Sequence, residues 1–141
     1  PEAAATPVDA QCYYPPGTIR VVHRAVPAQR GGIDIAAPET YRNDRWHHLA
    51  AVKESGRLAL YVNGKQKVAY PTAEPFVVAP PNLVLGALFS QGEQTERPFA
   101  GLMDEVAVYA KALSIAEIES HFKAARPATQ KSLGMGGAGD E

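Results

Sequence analysis

The sequence predicts an all-β fold, an antiparallel β-sandwich with one short helix near the C-terminal end. Many short stretches alternate apolar and polar residues, which is typical of strands that bury one face. Glycines, prolines and an Asn-Gly pair separate these stretches at short intervals, as the turns of antiparallel sheets require. The last apolar stretch has helical spacing instead, so we expect a single helix on a β structure.

The composition is that of an ordinary globular domain. The chain has 141 residues, 45% of them hydrophobic and 21% charged, enough for one domain and one core. A formal net charge of -1 disfavours nucleic acid as a partner, because proteins that bind it usually carry a basic surface. The apolar runs are too short for a membrane span. Cys12 stands alone, so we expect a free thiol.

Composition divides the chain into three parts. Residues 1–17 are rich in alanine and proline and are predicted to be a leader or linker. Residues 18–125 carry the periodic apolar pattern and form the predicted domain. Residues 126–141 end in a glycine-rich run that cannot build a core, so we expect a flexible tail.

Alternating apolar residues predict the strands of the sandwich. Asn63-Gly64 predicts a type I′ hairpin turn between two of them, because both residues tolerate positive φ. The stretch from Trp46 places His47 and His48 on opposite faces, so the two histidines are not expected to bind one metal ion. The predicted strands are 18–24, 32–36, 46–53, 57–63, 65–70, 82–87 and 99–109.

The helix prediction rests on local signals at its start. Ser114 is a suitable N-cap, and Glu117 three residues later completes a capping box. Leu113 and Ile118 occupy the two positions of a hydrophobic staple. Apolar residues then repeat at helical spacing, which predicts a helix over 114–124.

Several of these segments together resemble the laminin-G-like, concanavalin A-like jelly-roll domains. They cover about 45–125 in the order of that family. The resemblance implies two curved antiparallel sheets and a module that binds carbohydrate or extracellular protein, often within a larger chain. The segments are Arg45-Trp46-His47-His48-Leu49-Ala50, Leu60-Tyr61-Val62-Asn63-Gly64-Lys65, Leu83-Val84-Leu85-Gly86, Phe99-Ala100-Gly101-Leu102-Met103-Asp104-Glu105-Val106-Ala107-Val108-Tyr109 and Ala112-Leu113-Ser114 with Glu117-Ile118.

The resemblance also implies several strands ahead of Trp46. We therefore expect this chain to be the C-terminal part of such a domain, with a sandwich that is incomplete at its N-terminus. Its apolar faces should then be incompletely covered, and the chain should self-associate through an open edge or bind a complementing N-terminal segment. The faces concerned lie around Trp46, Leu58, Leu60, Val62, Val84 and Val106.

Asp104 is the candidate metal ligand. It alternates in register with Leu102 and Val106, so we expect its carboxylate on a buried apolar face. A buried charge must be paired, hydrogen-bonded or bound to metal. In the resembling family this position is often near a structural calcium ion, so calcium and a purely structural hydrogen-bonding role are both retained. No other cofactor is expected.

Two predicted loops, 38–45 and 90–98, supply candidate ligand-binding residues. Aromatic, amide and charged side chains suit contacts with sugars or proteins, and they suit ordinary solvated loops equally well. The candidates are Tyr41, Arg42, Asn43 and Asp44 in the first loop, and Gln91, Gln94 and Arg97 in the second.

Asp34 is the one residue that invites a catalytic interpretation. Its strand, Gly32 to Ala36, resembles a strand of the concanavalin-like glycoside hydrolases, which need two carboxylates across the scissile bond. Gly32 and Ala36 stand where that pattern has acidic residues, so we expect no enzymatic activity.

The sequence therefore favours a non-catalytic recognition or adhesion module. Its expected location is extracellular, periplasmic or at the cell surface, as part of a larger protein. The alternative is a structural spacer or assembly subunit without a ligand, which needs a partner segment to complete its sandwich.

Overall fold

The computed structural model describes residues 6–7, 14–23, 32–42, 44–72, 84–86, 88–89, 95–96 and 98–125. These residues form three antiparallel sheets, with strand orders β1-β3-β2, β4-β5-β6 and β7-β8. The predicted antiparallel β fold with one short helix is confirmed. The elements are β1 (Thr6–Pro7), β2 (Thr18–His23), β3 (Ile33–Thr40), β4 (Leu49–Glu54), β5 (Arg57–Val62), β6 (Lys65–Pro71), β7 (Leu88–Phe89), β8 (Thr95–Glu96) and α1 (Ile115–Ala124).

Tight turns fold β4, β5 and β6 into a meander. Asn63 has φ of 53° and Gly64 has φ of 75°, as the predicted type I′ turn between β5 and β6 requires. Gly56, in the turn between β4 and β5, also has a positive φ of 75°. The two turns set the register in which β5 pairs with both neighbours.

Strand β5 lies at the centre of the core because both of its faces are buried. Leu60 and its same-face neighbours pack against β3 of the other sheet, in a cluster with Ile33 and Ile35. Ala59 and Tyr61 point to the opposite face and pack against α1. The sandwich core therefore lies on one side of the β4-β5-β6 sheet and the helix contact on the other.

Helix α1 starts and docks as its sequence predicts. The Ser114 side chain accepts a hydrogen bond from the Glu117 N–H, and the Glu117 carboxylate accepts one from the Ser114 N–H. Ile118 is fully buried against Val52 and Tyr61, and Leu113 packs against the same cluster. The cap and the staple thus fix where the helix begins and which face it buries.

The strand predicted over 99–109 is wrong. Within the described residues, this segment makes one backbone hydrogen bond to another segment, from the Phe99 N–H to the Gly86 carbonyl at 2.7 Å. Glu105 has φ of 53°, which interrupts extended geometry. Alternation supplies apolar faces, but a strand also needs a neighbour that accepts its backbone hydrogen bonds.

Smaller differences concern strand limits. Trp46 to His48 precede β4 instead of lying within it. Residues 84–86 of the predicted 82–87 strand do not form a strand. The short β7-β8 pair lies in and beside the predicted loop 90–98. Within the predicted leader, β1 pairs with β3. The predicted tail, 126–141, and Cys12 lie outside the described residues.

The expected incomplete cover holds for part of the apolar surface. Trp46, Val84 and Val106 are exposed. The same expectation is wrong for β5, where Leu58, Leu60 and Val62 are buried, because β3 covers them. No helix in the described part of the chain is long and apolar enough to cross a membrane.

Candidate functional site

The loop that joins β3 to β4 is held to the β5–β6 turn by side chains. The His47 Nε2 atom lies 2.8 Å from the Arg42 carbonyl oxygen. That oxygen can only accept, so Nε2 donates and Nδ1 is left to accept from the Asn63 side-chain amide, 3.4 Å away. The Asn63 side-chain oxygen accepts the His48 backbone N–H at 3.1 Å. One asparagine therefore fixes both the turn and the loop.

Tyr41 lies at the start of this loop with its ring partly buried against the sandwich core. Its hydroxyl donates to Glu39 at 2.8 Å, and the other Glu39 oxygen accepts from Lys67 at 2.9 Å. The ring meets His47 edge to face, with centroids 5.3 Å apart. Burial, followed by the bond to Glu39, raises the pKa of Tyr41 to about 12. Lys67 and Tyr41 lower the pKa of Glu39.

Arg42 and Asp44 form an exposed ion pair through two hydrogen bonds, one of them from Nε at 2.9 Å. The bond from Arg42 lowers the pKa of Asp44, and the bond to Asp44 raises the pKa of Arg42. Such a two-pronged pair has a defined geometry. It presents both charges to solvent beside Tyr41.

These groups together can hydrogen-bond a polar ligand. With their pKa values lowered, Glu39 and Asp44 are ionised at neutral pH, and Tyr41 keeps its proton. The loop therefore offers carboxylate acceptors, guanidinium donors and an aromatic edge. None of these three acids changes its protonation state near neutral pH, so the set suits recognition better than proton transfer.

The structure brings together three of the predicted ligand-binding residues, Tyr41, Arg42 and Asp44. The other four, Asn43, Gln91, Gln94 and Arg97, lie outside the described residues. Sequence reasoning missed the partners of Tyr41. Glu39 and Lys67 are 28 residues apart, and no local pattern connects them. The sequence pattern around His47 predicted a strand and that around Asn63 predicted a turn, and neither indicated that the two side chains support the loop.

Asp104 is exposed, so its expected burial is wrong. Its Oδ1 atom accepts the Glu105 backbone N–H at 2.9 Å. The reason is the interrupted strand, because without a sheet the alternation does not turn the side chain inward. Calcium prefers six to eight oxygen ligands, and no cluster of three or more His, Cys, Asp or Glu side chains suited to a metal lies in the described part of the chain. The described residues do not fit calcium at this position.

Asp34 is 3% exposed and forms an ion pair with Arg20 at 2.9 Å. The Arg20 guanidinium lies 5.1 Å from the centroid of the Tyr14 ring. The sheet neighbours of Asp34 on the same face include Arg20, Val22 and Ala36. This arrangement ties β2 to β3 and places no second carboxylate beside Asp34 among those neighbours.

Comparisons with known proteins agree on the fold. A family model described as the concanavalin A-like lectin/glucanases superfamily matches residues 13–119. The crystal structure of an S-layer domain-containing protein from Clostridium thermocellum ATCC 27405 is similar, with a TM-score of 0.53 and 19% sequence identity. The match covers 75% of this chain and 52% of that one, so this chain spans about half the length of that structure. The comparison with curated proteins gave no match.

Proposed function

Because the chain belongs to the concanavalin A-like lectin/glucanases superfamily, we propose that it is a non-catalytic recognition or adhesion module. It binds carbohydrate or protein outside the cytoplasm, in the extracellular space, in the periplasm or at the cell surface, as part of a larger protein. The similar solved structure comes from an S-layer domain-containing protein, which supports that setting.

The observation that carries the proposal is the fixed loop between β3 and β4. His47 and Asn63 bond its two ends to each other and to the β5–β6 turn. A ligand that contacts Tyr41, Arg42 and Asp44 therefore meets groups that are already positioned. Because little conformational freedom remains to be lost, binding energy is retained as affinity.

The surroundings of Asp34 support a non-catalytic module. A glycoside hydrolase needs two carboxyl groups that face each other across the substrate. Asp34 is buried and paired with Arg20, and the next position on the same face of its strand is Ala36. A carboxylate in this setting joins two strands, and its described sheet neighbours Arg20, Val22 and Ala36 include no second carboxylate for general acid–base catalysis.

Glycan arrays and capture with extracellular proteins test the proposal. Wild-type protein is expected to bind a defined glycan or protein, and the Tyr41→Ala and Arg42→Ala variants should each bind at least about tenfold more weakly. Arg57→Ala is the matched control, because Arg57 is at the other end of β5 and pairs with Glu54 in solvent. Equal binding by wild type and all three variants would show that the ligand does not bind at this loop.

The same samples test the enzymatic alternative. Wild-type protein should release no reducing ends from the polysaccharides that it binds. Turnover that disappears in Asp34→Ala would overturn the non-catalytic proposal. If neither the glycan array nor the capture experiment finds a ligand, the alternative of a structural spacer or assembly subunit is favoured.

A further inference from the structure

The segment 102–108, called here the acidic segment, exposes apolar side chains. Leu102 is 77% exposed and Val108 is 78% exposed, and Val106 lies between them in solvent. No backbone hydrogen bond joins this segment to any strand in the described part of the chain. Its apolar side chains are therefore available to a partner. Its backbone can pair as a strand once the Glu105 N–H leaves Asp104 and Glu105 exchanges its φ of 53° for an extended conformation.

Among the described residues, one edge of strand β4 pairs with no other strand, and it is called here the β4 edge. The opposite edge of the strand pairs with β5. The His48 carbonyl accepts the Asn63 N–H, and alternate residues of an antiparallel strand bond to the same neighbour. The backbone N–H and C=O groups of Leu49, Ala51 and Lys53 therefore point away from β5. They are positioned to pair with one more strand.

The side chains along the β4 edge are exposed although they lie on the core-facing side of the sheet. Leu49 and Ala51 stand opposite Val62 and Leu60 of β5. The β5 pair is buried under β3, whereas Leu49 is 52% exposed and Ala51 is also exposed. The cover that β3 provides thus stops before it reaches β4. An added strand would extend that cover.

The charges of the two surfaces are opposite. Lys53 Nζ donates to the Glu54 backbone carbonyl at 3.0 Å and has no carboxylate partner among the described residues. Asp104 and Glu105 likewise form no ion pair with a described residue. Two copies of the acidic segment would place like charges together, which disfavours pairing of the segment with itself. The β4 edge is the better complement.

We propose that a second copy of this chain covers these surfaces, with the acidic segment of one copy added as a strand to the β4 edge of the other. Backbone hydrogen bonds hold the added strand, and its apolar side chains cover Leu49 and Ala51. The carboxylate of Asp104, on the same face of the added strand as Leu102 and Val106, lies near Lys53. Each copy carries one segment and one edge, so a pair of copies can join reciprocally. This association goes beyond the proposed recognition function, which one copy can perform.

Trp46 provides an internal reporter of this contact. It is the one tryptophan of the chain, it is 58% exposed, and it stands three residues before Leu49. Sedimentation velocity should show mass increasing from monomer to dimer as the protein concentration rises. Over the same range the Trp46 emission should shift to shorter wavelength, because the added strand removes water from the β4 edge.

Two variants remove one surface each. Ala51→Pro removes an N–H that points away from β5, and an edge strand tolerates proline at such a position. Ala51→Thr is its control, because it changes the side chain and keeps the N–H. Val106→Lys places a cation in the acidic segment beside Lys53. Each variant alone should associate at least about tenfold more weakly than wild type. An equimolar mixture should form a one-to-one dimer, since one intact edge meets one intact segment.

Circular dichroism that matches wild type establishes that each variant folds. If Ala51→Pro does not fold, Leu49→Asp replaces it, because a carboxylate on the β4 edge repels the acidic segment. A wild-type protein that stays monomeric at every concentration overturns the proposal. Unchanged association of both variants, or a mixture that remains monomeric, overturns the pairing of these two surfaces. Association of wild type with loss in each variant and recovery in the mixture supports it.

Discussion

The ring of Phe122 on α1 lies against Gly64 in the β5–β6 turn, so closely that a Cβ at Gly64 would be 3.0 Å from Phe122 Cδ1. Gly64 also has φ of 75°, where side chains are disfavoured. The turn residue is therefore required both for its backbone conformation and for the space that the helix occupies.

Gly64→Ala should destabilise the protein by more than the backbone conformation alone explains, which is about 1–2 kcal/mol. Gly56→Ala is a matched control, because Gly56 has the same φ of 75° with no atom within 4 Å of an added Cβ. Denaturant unfolding of both variants separates the two effects. Equal losses would show that the helix moves away from the turn at no cost.

Ser114→Ala should lower the free energy of unfolding by about 1 kcal/mol, since it removes the N-cap of α1. Ser120→Ala makes the same substitution at an exposed position of the same helix. Alanine is the better helix former there, so that variant should be neutral or slightly more stable. Thermal melting of the two variants gives the comparison, and an unchanged melting temperature for Ser114→Ala would contradict the cap.

Protein stability should fall as pH decreases below 6.5. Burial, and then the charge of His121, lowers the pKa of His48 from 6.5. Between the lowered folded value and 6.5, the unfolded chain binds more protons than the folded chain, so acid favours unfolding. The contribution is complete above pH 6.5. Unfolding midpoints measured on both sides of that pH should differ less in His48→Leu, which keeps an apolar contact with Phe122.

Arg20→Ala should cost about 1–3 kcal/mol, because it leaves the buried Asp34 carboxylate without its hydrogen-bonded cation. Arg57→Ala breaks an ion pair in which both partners are partly exposed, and such pairs contribute about 0–1 kcal/mol. Chemical denaturation should therefore rank the two arginine variants in that order. The reverse order would mean that Asp34 is solvated in solution.

Asp104→Ala should change stability by no more than about 0.5 kcal/mol, as is usual for an exposed side chain. Addition of a chelator should leave the melting temperature of wild type unchanged. A chelator effect that the variant lacks would restore calcium as a ligand. Both measurements should be made at low protein concentration, where dimer formation does not contribute to stability.

Local signals in the sequence predicted the parts of the fold that depend on near neighbours. The capping box of Ser114 and Glu117 joins residues three apart, and both are placed as expected. The Asn63-Gly64 turn needs only its own backbone angles. The resemblance to the family added the sheet architecture, which the match over residues 13–119 confirms.

Alternation alone could not predict how the 99–109 segment behaves. Apolar residues recur there at every second position, as Leu58, Leu60 and Val62 do in β5, yet β5 has strands on both sides and Val106 has none within the described residues. Burial of Asp104 was inferred from the same alternation and failed with it. Strand formation depends on a partner that is distant in sequence, and this dependence is absent from a local pattern.

The sequence predicted the exposed groups of the candidate site but not the hydrogen bonds that hold the loop in place. Tyr41, Arg42 and Asp44 are neighbours in the chain, so their composition was visible together. The bond from Lys67 to Glu39 and the bond from the His48 N–H to Asn63 depend on how two sheets and a turn come together. Tertiary contacts of this kind require knowledge of how the β1-β3-β2 sheet packs on the β4-β5-β6 sheet.

Burial of β5 on both faces has a kinetic consequence. Its amide protons should exchange with solvent more slowly than those of β2 or β4, which lie at sheet edges in the described part of the chain, because exposing β5 requires loss of both the β3 contact and the helix contact. Since β4, β5 and β6 are consecutive and joined by tight turns, they can form from nearby residues before the β1-β3-β2 sheet closes over them. The meander would then be the folding nucleus onto which the remaining strands assemble.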